Sequence, residues 1–163
     1  KTILSRIPLE ETVEIPLQGT GWNPASAVKA VIRKDGISIA FYSLHICGSK
    51  GDGGHAHYLA SEVLPREKSQ RVIVAGDFNN RIGDNSLNFI EGVGMRPTWK
   101  DLKIELSQQF TYNALEPGKQ GGVIDHIFYN ASSGAKATDG NIIELQKPLS
   151  DHKPVWAELA FPR

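Results

Sequence analysis

The sequence has few of the features that mark specialised classes of protein. Its 163 residues contain one cysteine, Cys47, which excludes an internal disulfide. No apolar run approaches the roughly 18 residues that a membrane-spanning helix needs. Lysine and arginine together number 18 and balance 18 aspartates and glutamates, so no overall charge attracts nucleic acid or an anionic membrane. These absences leave the compartment open and give no sign of an obligate protein partner.

The composition is otherwise that of an ordinary globular domain, with 40% apolar and 22% charged residues. We expect one domain over residues 1–163. Runs of β-branched and apolar residues bounded by turn residues predict eight strands. These cover residues 2–6, 12–17, 27–34, 37–46, 71–76, 123–130, 141–146 and 154–161.

Two helices are predicted, at residues 55–67 and, with Asn85 as N-cap, at residues 85–94. The segment "KDG" at residues 34–36 is typical of a tight hairpin. Because strands outnumber helices, and hairpins mix with one helical crossover, the pattern predicts an α+β domain. Its sheet should be mixed or mostly antiparallel.

Polar side chains stand inside or directly beyond the strongest predicted strands. They are His45, Asp77, Asn79, Asp125, Asp151 and His152. Each has a structural explanation when taken alone, since an Asp-x-Asn segment after a strand commonly forms a turn. All of them, however, lie beside apolar strands rather than on a polar surface, and this favours a shared site.

Asp125 is the most informative of these residues. It is flanked by Val123, Ile124, Ile127 and Phe128, where an unpaired carboxylate would be costly to bury. A neighbouring histidine or a metal ion would relieve that cost. Carboxylates with an amide suit an oxygen-preferring ion such as Mg²⁺, Mn²⁺ or Ca²⁺, and a His–Asp pair beside it suits acid–base chemistry. The residues alone therefore predict metal-assisted hydrolysis.

Three segments carry a family resemblance. "VAGDFNN", "GGVIDHIFY" and "LSDHKPVWAEL", in that order after a strand ending in "SLHI", resemble the endonuclease/exonuclease/phosphatase (DNase I-like) superfamily. The resemblance extends from Ile3 to the C-terminus and implies a two-sheet α/β sandwich with its site at one end of the paired sheets. It implies in-line attack of water on a phosphoester, with Mg²⁺, or Mn²⁺ or Ca²⁺, offsetting charge on the oxygens. The substrate class stays open among nucleic acid, phospholipid headgroups and sugar phosphates.

The resemblance also implies a role for each polar residue. Asp77 would activate or orient the attacking water. Asn79 and His45 would hold the phosphate. His152 would share charge with Asp125 and hydrogen-bond a phosphate oxygen.

Asp151 would bind or support the metal, but a further ligand is expected elsewhere. In the family an Asn and a metal-binding Glu precede the segment that matches "ILSRIP", which begins here at residue 3. Glu10, Glu11 and Glu14 follow that segment and are predicted on a solvated loop. We therefore expect a domain that lacks N-terminal strands, is weak or inactive by itself, and belongs to an active parent hydrolase. The alternative is a non-catalytic binding module of the same fold that lacks the metal-binding Glu.

Other side chains could line a substrate cleft, although a core or exposed position is the more ordinary explanation for each. These are Trp22, Lys50, Arg81, Trp99 and Tyr112.

Overall fold

The computed structural model describes residues 1–21, 24–48, 54–116, 118–119 and 121–162. Trp22 and Lys50 lie outside these ranges. The strands are β1 (Glu10–Leu17), β2 (Ala25–Lys34), β3 (Ile37–His45), β4 (Arg71–Asp77), β5 (Met95–Pro97), β6 (Asp125–Asn130), β7 (Lys136–Ile142) and β8 (Val155–Ala160). The helices are α1 (Gly54–Tyr58), α2 (Asn85–Gly92) and α3 (Trp99–Leu102). A π-helical turn (Leu59–Val63) and a 3₁₀ turn (Leu64–Arg66) continue α1.

Six strands form one sheet in the order β1-β2-β3-β4-β6-β5. Strands β3 and β4, connected through α1, run parallel, whereas the other neighbouring pairs run antiparallel. The β2–β3 hairpin turns at Asp35 (φ 52°) and Gly36 (φ 78°), the two left-handed positions of a type I′ turn. The predicted α+β fold with a mixed, mostly antiparallel sheet is confirmed. The same topology brings the C-terminal ends of β3 and β4 together.

The main hydrophobic core lies on one face of this sheet. Alternating residues such as Leu44 and Val74 are buried there and pack against Leu59 and against Ile90 of α2. The helical face predicted for residues 55–67 therefore packs on the sheet as expected. The opposite face carries half-buried side chains such as Ile73 and ends in polar residues. This separation places the polar residues away from the main core.

Strands β7 and β8 form a second, two-stranded sheet. It packs on α3 through a small core in which Trp99, Val123 and Ile142 are buried, with Leu102 and Val155 against them. Trp99 is therefore a core residue. No helix in the described part of the chain has the length and apolar character needed to cross a bilayer.

Several local predictions are wrong. Residues 2–6 are irregular, and Leu4 is 91% exposed there, because no strand of the described chain pairs with them. The strand expected at residues 141–146 instead runs from Lys136 to Ile142, where pairing with β8 overrides the turn preference of "DG" at residues 139–140. The N-cap of α2 is Asp84 rather than Asn85. Strand β5 and helix α3 were not predicted from the sequence.

Candidate active site

Three of the polar residues stand side by side on neighbouring strands. In the sheet register, His45 of β3 pairs with Asp77 of β4, and Asp77 pairs with Asp125 of β6. Residues directly opposite one another on neighbouring strands point to the same face of the sheet. His45 and Asp77 end their strands, whereas Asp125 begins β6. One row of the sheet therefore presents an imidazole and two carboxylates.

His152 reaches this row from the segment before β8. An isolated antiparallel bridge joins it to Tyr112. The backbone amide of Lys153 donates to the carbonyl of Thr111 at 2.7 Å. The buried hydroxyl oxygen of Thr111 in turn accepts from the amides of Ile124 (3.0 Å) and Asp125 (3.2 Å). Thr111 thus ties the His152 segment to the start of β6, a role that no pattern in the sequence indicates.

The polar atoms of the cluster converge. Nδ1 of His152 lies 2.9 Å from Oδ2 of Asp125, and its Nε2 lies 3.8 Å from Oδ2 of Asp77. Nε2 of His45 lies 3.3 Å from the same Asp77 oxygen. The side chains of Asp77 and Asp125 are each 15% exposed, and that of His152 is 27% exposed. Both carboxylates are therefore largely shielded from water.

Asn79 closes a turn and also faces the cluster. Its backbone amide donates to Oδ1 of Asp77 at 2.8 Å, and its φ of 52° places it in the left-handed region that asparagine tolerates. Its Nδ2 donates to the carbonyl of Ile46 at 2.9 Å and lies 3.4 Å from Oδ2 of Asp77. The turn that Asp-x-Asn predicts is present, and it is the turn that orients the Asp77 carboxylate.

The two ends of the cluster have opposite electrostatic tendencies. Burial raises the pKa of Asp77, and the negative charge of Asp125 raises it further. The N–H of Asn79 and the imidazoles of His45 and His152 lower it, but not enough to reverse the rise. Burial alone would lower the pKa of His152, but its hydrogen bond to Asp125 and the surrounding carboxylates outweigh burial and raise the pKa. The site therefore disfavours a second negative charge and favours a positive one.

The cluster fits a divalent cation. One ligand atom each from Asp77, Asp125 and a neutral His152 lies within 4.8 Å of the other two, and a protonated His152 would leave the cation to the two carboxylates. Two carboxylates supply the oxygen atoms that Mg²⁺, Mn²⁺ and Ca²⁺ prefer. A cation there would also offset the repulsion between Asp77 and Asp125, which is one cause of the raised pKa of Asp77.

Asp151 lies beside this group rather than within it. It is exposed, and one of its carboxylate oxygens accepts from the hydroxyl of Ser150 at 3.3 Å. Its negative charge contributes to the raised pKa of His152. Ser150 also accepts from the amide of His152 at 3.1 Å, so the "SDH" segment forms a compact turn. Asp151 thus acts on the site from its rim.

The three early glutamates are not on the solvated loop predicted for them; the strand predicted at residues 12–17, which already contained Glu14, begins earlier and includes Glu10 and Glu11 as well. Glu10, Glu11 and Glu14 lie on β1, an edge strand of the sheet. Arg33 pairs with Glu10 and Glu11, and Glu14 accepts a hydrogen bond from Ser26 at 2.7 Å. Their exposure matches the prediction, because the edge strand leaves these carboxylates in solvent.

The buried histidine next to Asp125 has a structural role. His126 is fully buried, its Nδ1 accepts from the indole N–H of Trp99 at 3.1 Å, and its Nε2 lies 2.8 Å from the carbonyl of Asn80. Burial lowers the pKa of His126 to about 4. A neutral imidazole with a proton on Nε2 satisfies both partners. His126 therefore braces the loop after Asp77 from the side opposite to the cluster.

Gly76 allows Asp77 to reach its position. Its φ is +146°, and a Cβ there would lie 2.0 Å from the carbonyl oxygen of Leu44. We expect Gly76→Ala to lower the free energy of unfolding by about 3 kcal/mol or more, because β3 and β4 would have to separate. The change is measured by urea denaturation. Gly92→Ala, at a position with open space, is the control and should alter stability by less than about 1 kcal/mol. Equal stabilities for both variants would contradict this account of Gly76.

Residues 2–152 match the model of the endonuclease/exonuclease/phosphatase family, and the chain belongs to that family. This confirms the resemblance seen in the sequence. A comparison with curated protein sequences found no match.

Solved structures share the fold at low sequence identity. The human Nocturnin catalytic domain with a bound sulfate anion is 15% identical with a TM-score of 0.72, covering 95% of this chain and 60% of that one. D. rerio TDP2 with a single-strand DNA product is 19% identical with a TM-score of 0.71, covering 93% and 68%. A family protein from Leptotrichia buccalis is 21% identical with a TM-score of 0.76, covering 96% and 63%. The chain thus spans 60% to 68% of the length of these structures.

Proposed function

We propose that the cluster of His45, Asp77, Asn79, Asp125 and His152 is the active site of a divalent-metal-dependent phosphoester hydrolase. The observation that carries the proposal is the convergence of two carboxylates on one imidazole, 2.9 Å and 3.8 Å from its two ring nitrogens. Membership of a family of nucleases and phosphatases supports the same reaction class.

In the proposed reaction, Asp77 orients water and accepts its proton while the water oxygen attacks phosphorus. The position of Asp77 supports this role, because the N–H of Asn79 fixes one of its carboxylate oxygens. The other oxygen faces the imidazoles of His45 and His152. The bond between phosphorus and the leaving oxygen breaks, and the leaving group departs as an oxyanion that takes up a proton from solvent when it is basic enough. A bound Mg²⁺ or Mn²⁺ would supply charge stabilisation to the phosphate oxygens. Asp151 would support that cation from the rim.

The remaining residues hold the phosphate. The hydrogen bond to Asp125 raises the pKa of His152 and so favours its protonated form. The protonated ring donates a hydrogen bond from Nε2 to a phosphate oxygen. His45 is half exposed at the open side of the row, where its imidazole can meet another oxygen. Asn79 is fixed by its own turn and offers its amide group beside Asp77.

The substrate is a phosphoester of nucleic acid, a phospholipid headgroup or a sugar phosphate. The D. rerio TDP2 structure contains a single-strand DNA product, which supports nucleic acid among these classes. Neutral net charge argues against strong nonspecific attraction to duplex DNA.

The test is hydrolysis of methyl p-nitrophenyl phosphate in Mg²⁺ and in EDTA. The chain is assayed as it stands and, where its gene encodes residues before Lys1, with those residues attached. We expect Mg²⁺-dependent release of nitrophenolate, lowered roughly 10² to 10⁴-fold in both Asp125→Asn and His152→Gln. The double variant should be little worse than either single one, because the pair acts as a unit.

Absence of metal-dependent release in every form of the protein, on this ester and on nucleic acid, phospholipid and sugar phosphate substrates, would overturn the proposal. Binding of phosphoesters without turnover would instead indicate a non-catalytic module of the same fold.

A further inference from the structure

One aromatic side chain lies at the mouth of the site. Tyr112 is 38% exposed, and its ring centroid lies 5.1 Å from that of His152 with the planes inclined by 51°. A tyrosine in a domain core would be almost fully covered, as Tyr129 is at 1% exposure. Tyr112 therefore leaves aromatic surface in solvent next to the imidazole that faces the proposed phosphate position.

The backbone around Tyr112 is fixed to the catalytic cluster. The bridge to His152 holds it on one side, and the amide of Ala114 donates to the carbonyl of Asp151 at 2.9 Å. Thr111, directly before it, is fully buried and hydrogen-bonded to the start of β6. A ring held in this way loses little conformational entropy when a second ring stacks on it.

The surface continues from Tyr112 across Gly121 and Gly122 to the guanidinium group of Arg81. A Cβ on Gly121 would lie 2.7 Å from Cδ1 of Tyr112, and a Cβ on Gly122 would lie 2.5 Å from Nε of Arg81. The guanidinium of Arg81 donates to the carbonyl of Gly121 at 3.2 Å. Beyond it is an open cavity of about 360 Å³ with Arg81, Ser107 and Gln109 in its lining. Ring, glycine floor and guanidinium thus follow one another away from His152.

This succession fits a nucleoside better than an acyl chain. An acyl chain is bound by a continuous apolar groove, whereas here Ile82, Leu106 and Val123 share the lining with a guanidinium, a hydroxyl and an amide. An exposed ring beside a phosphate-binding group is the arrangement on which single-stranded bases stack, and a nearby arginine suits a following phosphate. Every base has a flat aromatic face, so such stacking can accept any base and does not depend on the nucleotide sequence.

We propose that Tyr112 is the residue that selects the substrate of this site, by stacking on a base of a single-stranded nucleic acid whose phosphate lies at His152. This inference rests on the proposed function for the position of the phosphate, and it identifies the group attached to that phosphate as a nucleoside. Arg81 lies where the next phosphate of the nucleic acid would be bound.

The test is binding, measured in the Asp77→Asn background so that turnover does not consume the probe. The probes are 2-aminopurine deoxyriboside 5′-monophosphate, whose fluorescence falls on stacking, and deoxyribose 5-phosphate, which has no ring and is followed by competition. We expect the nucleotide to bind roughly tenfold or more tightly than the sugar phosphate, with quenching. Tyr112→Phe should keep that ratio, and Tyr112→Ala should bring it close to one.

The ratio separates stacking from a merely structural role. If Tyr112 only positions His152, Tyr112→Ala will weaken both probes equally and leave the ratio unchanged, which overturns the inference. The inference is also overturned if the two probes bind with equal affinity to the protein that retains Tyr112. It is overturned as well if that protein prefers monomeric dihexanoyl phosphatidylcholine to the nucleotide and loses this preference in Tyr112→Ala. Failure of the proposed hydrolase function shows separately, as absent Mg²⁺-dependent cleavage of methyl p-nitrophenyl phosphate, which carries no base.

Discussion

Replacing Asp77 with asparagine is expected to lower kcat for phosphoester hydrolysis by about 10³-fold without lowering stability. The amide keeps the shape of the side chain and the acceptor for the N–H of Asn79, but it cannot take a proton from water. The raised pKa of Asp77 means that the folded protein disfavours its charge, with Asp125 as one cause. Removing that charge should therefore leave the melting temperature in EDTA unchanged or higher.

The two measurements are kcat from nitrophenolate release and the melting temperature in EDTA. Asp35→Asn is the control, because Asp35 is an exposed carboxylate in the hairpin turn at the opposite end of β3. It should change neither quantity. An Asp77→Asn variant that keeps its rate within tenfold, or that unfolds well below the unsubstituted chain, would show that Asp77 is structural.

Replacing Glu67 with alanine is expected to cause the largest loss of stability, about 3 to 5 kcal/mol. The Glu67 side chain is 3% exposed, and its carboxylate lies 2.7 Å from Nζ of Lys29 and accepts from the hydroxyl of Tyr42. The amides of Lys68 and Ser69 each donate to its other oxygen at 2.8 Å. Truncation would leave a largely buried ammonium and a buried phenol without their acceptor.

The same carboxylate predicts a pH dependence. Burial alone would raise the pKa of Glu67, but hydrogen bonds from Lys29, Tyr42 and Ser69 lower it from 4.5 to about 2. Because the folded pKa lies below the unfolded one, the stabilisation is fully present above pH 4.5. It should be lost as the pH falls toward 2, by on the order of 3 kcal/mol.

Urea denaturation between pH 2 and pH 7 measures both effects. Glu67→Gln should flatten the slope below pH 4.5, and the matched control Glu62→Gln should not. Glu62 pairs with Arg66 at the surface, where such pairs contribute less than about 1 kcal/mol. A parallel slope for Glu67→Gln and the unsubstituted chain would contradict the assignment of a depressed pKa to Glu67.

The strand that carries Asp77 could be predicted from the sequence because its signal is local. "VIVAG" is an apolar run ended by a glycine, and Asp77 and Asn79 follow it in a recognisable turn. The run at residues 123–130 likewise marked Asp125 as a carboxylate among apolar neighbours. These local patterns were sufficient to select Asp77, Asn79 and Asp125 as candidate site residues, although they did not show that Asp151 would lie at the rim.

The strand register that aligns these side chains could not be predicted from local sequence. That His45, Asp77 and Asp125 share one row depends on a parallel pairing through α1 and an antiparallel pairing with β6, both of which are long-range. Thr111 and Tyr112 stand in an irregular segment with no periodic pattern, so their contacts to Asp125 and His152 follow only from tertiary structure. The bounds predicted for β7 were wrong for a related reason, because its long-range pairing with β8 determines where it begins and ends.

The most direct test of the central claim is the ratio of hydrolysis rates in Mg²⁺ and in EDTA. It is measured with methyl p-nitrophenyl phosphate for the unsubstituted protein and for Asp77→Asn, with any residues encoded before Lys1 included. The account predicts a large ratio for the unsubstituted protein and a rate in Mg²⁺ about 10³-fold lower for Asp77→Asn. A ratio near one for the unsubstituted protein, or a rate in Mg²⁺ that survives the substitution, would contradict it.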